Sequence, residues 1–231
     1  MDNQSASGTP TSHAPHELAE QILDSAIRIA EGSSWESLRL HQIARDMDIT
    51  LEVIQHFFRQ KDDLVEAWYD RADRAMLADA ALEDYQWLSP RERIHRSITC
   101  WLKSLGNHRR VSRDMLNYKL ELGHIHLQVL GLLRISRTVQ WILEAANREV
   151  VHLQRVGEEV ALTGIYLATF AYWMFDDSTE AQKTTKLLDR LLRQAEYFAR
   201  LAVPLGIHGY DPESQQKQSG TSGQTTEKAA H

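Results

Sequence analysis

Five polar side chains, His124, His126, Arg134, Arg137 and Gln140, stand in an otherwise apolar stretch and are the first candidates for chemistry. His124-x-His126 has the residue types of a metal site but not its geometry. Alternate residues on a helix point about 200° apart, and no cysteine or neighbouring carboxylate completes a ligand set. Arg134 and Arg137 are three apart, so they share a helix face and suit the carboxylate or phosphate head of a ligand. Pairing with Glu144 or Glu121 is an equally good reading of the two arginines. Trp101, Met115, Tyr118, Leu122, Trp141, Tyr166, Phe170 and Trp173 supply aromatic and flexible walls for the apolar part of such a ligand. From these groups, Trp101, Tyr118, His124, Arg134, Arg137, Trp141, Phe170 and Trp173 are the candidate binding residues for a small apolar or amphipathic effector. Catalysis has no comparable support. The chain has no glycine-rich phosphate loop, no nucleophile elbow and no metal-ligand spacing, so the expectation is a non-enzyme that needs no cofactor.

The elements that must position these residues are helical. Between His16 and Val203 the sole proline is Pro90, and few windows alternate apolar with polar residues as a half-buried strand must. The fold class expected is all-α: a three-helix helix-turn-helix unit at the N-terminus, followed by a helical bundle, with about nine helices in total. The first helix spans about residues 16–31, with Leu18, Ile22, Ala26 and Ile29 at helical spacing. Two short helices follow at about 38–47 and 51–58, the second capped by Thr50, and then a longer one opens at Lys61, Asp62 and Asp63. Ser89-Pro90 starts the body, with further spans at about 111–121, 125–154 and 157–175. A last amphipathic helix carries Leu187, Leu188, Leu191, Leu192, Ala195, Phe198 and Ala202, and the Asp176–Glu180 segment caps it. Residues 1–15 and 206–231 are too polar to offset their ordering entropy and are expected to be disordered tails.

Cys100 is the single cysteine and the N-terminus lacks the pattern of a signal peptide, which points to the cytoplasm. The apolar run from Val160 to Phe175 falls short of the roughly 20 residues a membrane span needs, so no stable membrane insertion is expected.

Within the helix-turn-helix unit, Ile43, Ala44, Ile49, Ile54 and Phe58 should point inward, and the second helix of the pair should be the one that enters a DNA major groove. Ile43-Ala44, Ile49-Thr50 and the run Phe58, Lys61, Leu64 give residues 16–75 a pattern that resembles the head of the TetR family of transcriptional regulators. Asp48 stands where that family usually has glycine, Gln55 where it has tyrosine, and Leu51 where a base is frequent. The resemblance implies a DNA-binding domain over 16–62, an effector-binding and dimerisation domain over 63–205, and a ligand-responsive repressor. By the same resemblance Thr50, Leu51, Val53, Gln55 and His56 face bases and phosphates, while Arg39 and Lys61 lie where helix ends meet phosphates. Gln55 suits adenine and His56 suits phosphate or a base. The implied partner is double-stranded operator DNA, read by a homodimer paired through its last two helices, which are the most apolar in the chain.

Charge runs against this expectation. The chain carries a net charge of −6, and residues 16–74 alone hold thirteen carboxylates against seven bases. Residues 91–155 reverse the balance with twelve bases and five carboxylates. Trp173–Leu192 also resembles a ubiquinone-biosynthesis family that uses the same fold to bind isoprenoid lipid, so the alternative is a lipid-binding accessory protein that meets membranes through a basic body.

Overall fold

The computed structural model describes residues 13–120, 135, 137–146 and 152–202, and among them every regular element is helical. The head comprises α1 (His13–Gly32), α2 (Leu40–Asp46) and α3 (Leu51–Phe57). From it runs α4 (Lys61–Ala80), continuous into the body, followed by the short α5 (Glu83–Gln86). The body contains α6 (Pro90–Ser104), α7 (Arg109–Leu120), α8 (residues 137–145), α9 (His152–Trp173) and α10 (Gln182–Ala202). Residues 1–12 and 206–231, His124, His126, Arg134 and most of the 125–154 span lie outside the described residues. Residues 13–15, expected in the N-terminal tail, instead form the start of α1, where Pro15 sits in the first turn and needs no helical N–H partner. No helix among the described residues is long and apolar enough to cross a membrane.

The head closes on Ile22, Ala26, Trp35, Leu38, Ile43, Ile54 and Phe58, all buried, with Ile49 half-buried against them. Between α2 and α3 the chain reverses at Asp48, whose φ of 53° lies in the left-handed region. Aspartate tolerates that region better than most L-residues, so the turn forms without glycine. Thr50 then caps α3, its Oγ1 accepting from Val53 N at 3.3 Å.

α4 packs along α6, and the two form the spine that joins head to body. α6 begins with a reciprocal cap in which Ser89 N donates to Glu92 Oε2 at 2.8 Å and Glu92 N to Ser89 Oγ at 3.4 Å, with Pro90 at the first helical position. The four-residue α5 was not expected from the sequence because it is shorter than a helical period of apolar residues. Its buried Tyr85 pins it, the hydroxyl lying 2.8 Å from Ser97 Oγ.

α9 begins at His152, ahead of the span expected from Gly157, because an exposed glycine costs a helix about 1 kcal/mol but does not end it. The segment 176–180 caps α10 as expected, with Asp176 the organising residue: its carboxylate accepts from Ser178 N and Oγ at 2.9 and 2.6 Å and from Thr184 N and Oγ1 at 2.8 and 2.6 Å. Burial would raise its pKa, yet these four bonds together hold it well below the usual carboxylate range. Asp189 points elsewhere, to Arg91 and Arg193.

Candidate functional site

The first turn of α3 leaves its outer face open. Leu51 is 52% exposed, Thr50, Glu52, Gln55 and His56 are exposed, Val53 is partly so, and only Ile54 is committed to the core. The outward arc of this short helix thus carries Leu51, Glu52, Gln55 and His56, with the exposed cap Thr50 at its start. His56 stands edge-on to Phe57, ring centroids 5.0 Å apart.

Cross-helix ion pairs take up several of the thirteen head carboxylates, while Asp48 and Glu52, beside and on α3, are exposed. Asp46 accepts from both guanidinium nitrogens of Arg28 and from Ser25 Oγ at 2.6 Å, which lowers its pKa. Glu20 and Asp24 pair with Arg71 and Arg74 of α4. Asp63 caps α4 by accepting from Arg59 N and Gln60 N at 2.8 and 3.2 Å. Lys119 of α7 is buried between Asp62 and Glu66, and Arg137 of α8 reaches Glu66 and Asp70 at 3.4 and 2.9 Å. Near α3, the side chains of Arg39, His41, Arg45 and Arg59 remain exposed. Local potential decides whether a helix approaches phosphates, and here it is set by which acids are already paired.

Arg39 and Lys61 are placed differently from a pair of outward phosphate contacts. Arg39 donates to Glu36 O at 3.0 Å while staying exposed. Lys61 Nζ also donates to Glu36 O, at 2.9 Å, and sits 5.4 Å from the Trp35 ring and 5.0 Å from the Tyr118 ring. Burial, with Arg39 as a like charge, pushes its pKa down to about 8. Lys61 therefore ties the head to α7, and Tyr118 belongs to that joint instead of to a body pocket.

The body's basic residues are also spent internally. Arg91 pairs with Asp189 and Glu196, Arg96 with Asp79 and Asp84, and Arg93 donates to Gln86 O at 2.6 Å. Arg137 reaches Glu66 and Asp70 of α4, so its guanidinium is engaged by carboxylates. Among the described residues, Arg91 and Arg96 are thus paired within the body and Lys119 and Arg137 with acids of α4, while Lys103 is exposed.

Three of the aromatic candidates, Trp101, Phe170 and Trp173, come together with Tyr69 and Tyr166 in a buried column. Tyr69 stacks on Trp101 at 5.9 Å, and Tyr166 and Phe170 meet Trp101 edge-on at 5.4 Å. Phe170 stacks on Trp173 at 5.9 Å. Trp141 is not part of this column and is half-exposed. The sequence reading missed Asp73, which is 5% exposed beside the column and accepts from Trp101 Nε1 at 2.8 Å and Thr138 Oγ1 at 3.1 Å. An acid at a buried helical position was its only sequence signal.

Burial pushes the Asp73 pKa up to about 6, against the bonds from Trp101 and Thr138. An unfolded aspartate titrates near about 4. Over the interval between, the folded chain holds a proton that the unfolded chain has released, so stability falls as pH rises through it. The expected loss is about 2–3 kcal/mol. Urea unfolding at a series of pH values should show this slope in the parent and not in Asp73→Asn; parallel curves would contradict it.

No protein-family model matches the chain, and no curated protein does. Solved structures do. The TetR transcriptional regulator from Nitrosomonas europaea ATCC 19718 is 42% identical, with a TM-score of 0.71 over 78% of this chain and 99% of its own. A TetR transcriptional regulator from Rhodococcus sp. RHA1 is 17% identical with a TM-score of 0.56, covering 79% and 98%. A TetR/AcrR-family regulator from Thermobifida fusca YX-ER1 is 19% identical with a TM-score of 0.50, covering 76% and 96%. The last two share the fold. On its helical order, its helix-turn-helix head and 42% identity to a regulator matched over almost its full length, this chain belongs to the TetR family of transcriptional regulators.

Proposed function

We propose that the protein is a DNA-binding repressor that acts as a homodimer and releases its operator when a small apolar or amphipathic effector occupies the body. The observation that carries the reading is the open face of α3, with Thr50, Leu51, Gln55 and His56 exposed and the nearby Asp46 neutralised by Arg28. Gln55 would pair with an adenine edge, Leu51 would lie on a thymine methyl, and His56, Arg39, Arg45 and Arg59 would meet phosphate or base edges. Val53 would support this surface, and the Thr50 hydroxyl keeps a proton to donate after capping α3.

The dimer would form through α9 and α10. One face of α9, with Leu162, Tyr166, Thr169, Phe170 and Trp173, is buried in the subunit. The opposite face, with Val160, Ala161, Gly164, Leu167, Ala168 and Ala171, is exposed and apolar. Phe175 is 68% exposed and, with Tyr197 and Phe198 of α10, widens that surface. The effector would lie against the aromatic column of Trp101, Phe170 and Trp173, next to Asp73. A ligand that favours one arrangement of the body would shift the equilibrium between head spacings and so change operator affinity.

Anisotropy titration of duplex from the region upstream of the gene tests the reading. Binding should weaken steeply with salt, and Arg45→Ala and Arg59→Ala should each reduce the salt slope by about 1. Gln55→Ala should cost about 1–3 kcal/mol against the preferred sequence and little against random duplex. Absence of salt-sensitive binding at low salt would falsify the regulator reading.

A further inference from the structure

Residues 106–113, a 3-10 turn and the first turn of α7, touch α1, α4 and α9 at once. On the head side, Arg110 donates through Nη2 to Ala30 O at 3.1 Å and to Glu31 O, and through Nη1 to Ser33 O at 3.3 Å. These carbonyls belong to the C-terminal end of α1, where a helix leaves acceptors without partners and its dipole is negative. His108 Nδ1 lies 2.5 Å from Glu31 Oε1. On α4, Trp68 Nε1 donates to Ser112 Oγ at 3.0 Å and the Tyr69 hydroxyl to Ser112 O at 3.2 Å. On the body side, Arg109 donates to Asp176 O and lies 4.8 Å from the Trp173 ring, and Arg113 lies 5.6 Å from the Phe175 ring.

Two adjacent arginines thus hold two different parts of the chain, Arg110 the C-terminal end of α1 in the head and Arg109 the last residue of α9 and the turn that follows it in the body. Their geometric role differs from that of α4. A single continuous helix between head and body leaves rotation and bending about its own axis as soft motions. A second attachment away from that axis removes them.

We propose that Arg109 and Arg110 are positioning residues that fix the angle of the head against α9, and with it the spacing of the two reading helices in the dimer. The consequence for DNA rests on the proposed dimeric regulator, but the head angle is a property of one subunit and is measurable without DNA. A displacement of the α9 end would pass through Arg109 and Arg110 directly to α1, as well as through Ser112 to α4.

The test uses the full chain with Cys100→Ser and spin labels at Gln21→Cys on α1 and Lys186→Cys on α10, both exposed positions. Labelled chains are diluted with unlabelled ones, so the intrachain distance is read. The parent should give one narrow distance, and Arg109→Ala and Arg110→Ala should each lose it for a broad or displaced distribution at unchanged helical circular dichroism. Arg110→Lys, which keeps the charge at an exposed position, should broaden it less and carries the test if an alanine variant does not fold. The same narrow peak in all chains overturns the proposal. In titrations, Arg110→Ala should lose affinity for a duplex with two half-sites while keeping that for one. Equal loss on both duplexes with an unchanged distance also overturns it. If no chain binds either duplex, the regulator reading fails while the distances still decide the head angle.

Discussion

Gly164→Arg is expected to produce a folded monomer that has lost its grip on duplex with two half-sites. A Cβ added at Gly164 meets nothing within 4 Å among the described residues, and the position faces outward, so the monomer should accept a longer side chain. Its surroundings on the outer face of α9 are Val160, Ala161, Leu167, Ala168 and Ala171, a run of small and aliphatic residues one to two helical turns apart. Such a face lets two helices approach closely. A guanidinium at its centre would be buried without a partner, at a cost of about 3–5 kcal/mol per unpaired charge. Loss of the second head then removes avidity worth about 10²–10⁴ in affinity. Sedimentation velocity and an anisotropy titration on one preparation check both outcomes. Gly164→Ala separates the two effects, since alanine favours the helix by about 1 kcal/mol in the monomer yet adds a methyl where the copies meet. If Gly164→Arg stays dimeric, the copies meet elsewhere.

Local chemistry was legible in the sequence and pairing across the chain was not. Ser89-Pro90 with Glu92 announced the start of α6, and Thr50 that of α3, because capping involves residues three apart. The head core of Ile43, Ala44, Ile54 and Phe58 followed from helical spacing. The net charge of residues 16–74 hides which acids are paired. Counting residues 16–74 assigns every acid to the head surface, whereas Asp62, Glu66 and Asp70 face Lys119 and Arg137, which arrive from α7 and α8. No periodicity reports a contact between Asp70 and Arg137. Lys61 is similar: its position at the start of α4 was readable, but its insertion between Trp35 and Tyr118 depends on α7 packing beside the head. The alternating character of α9 was hidden because both its faces are apolar, one against Trp101 and one outward.

Trp101→Ala should be the most damaging single change to stability. The side chain is 1% exposed and stacks on Tyr69, with Tyr166 and Phe170 packed edge-on against it. Truncation removes that burial and leaves a cavity bounded by rings on α4 and α9 that cannot collapse together, because both helices are held by other contacts. Large-to-small changes of this kind cost about 3–5 kcal/mol. A second loss follows at Asp73, whose carboxylate gives up the indole N–H at 2.8 Å. A buried acceptor losing its donor costs a further 1–3 kcal/mol or so. Trp101→Phe separates the contributions, since it keeps most of the ring packing and removes the donor. Its unfolding free energy should fall by roughly the hydrogen-bond share alone. Because a domain of this kind is stable by only about 5–15 kcal/mol in total, Trp101→Ala should lower the urea midpoint far more than Trp101→Phe. Adding Asp73→Asn should recover part of the loss, as an amide is less costly to bury than a carboxylate. Equal midpoints for Trp101→Ala and Trp101→Phe would mean that the ring packing contributes little and that the column is loose enough to rearrange around an empty site.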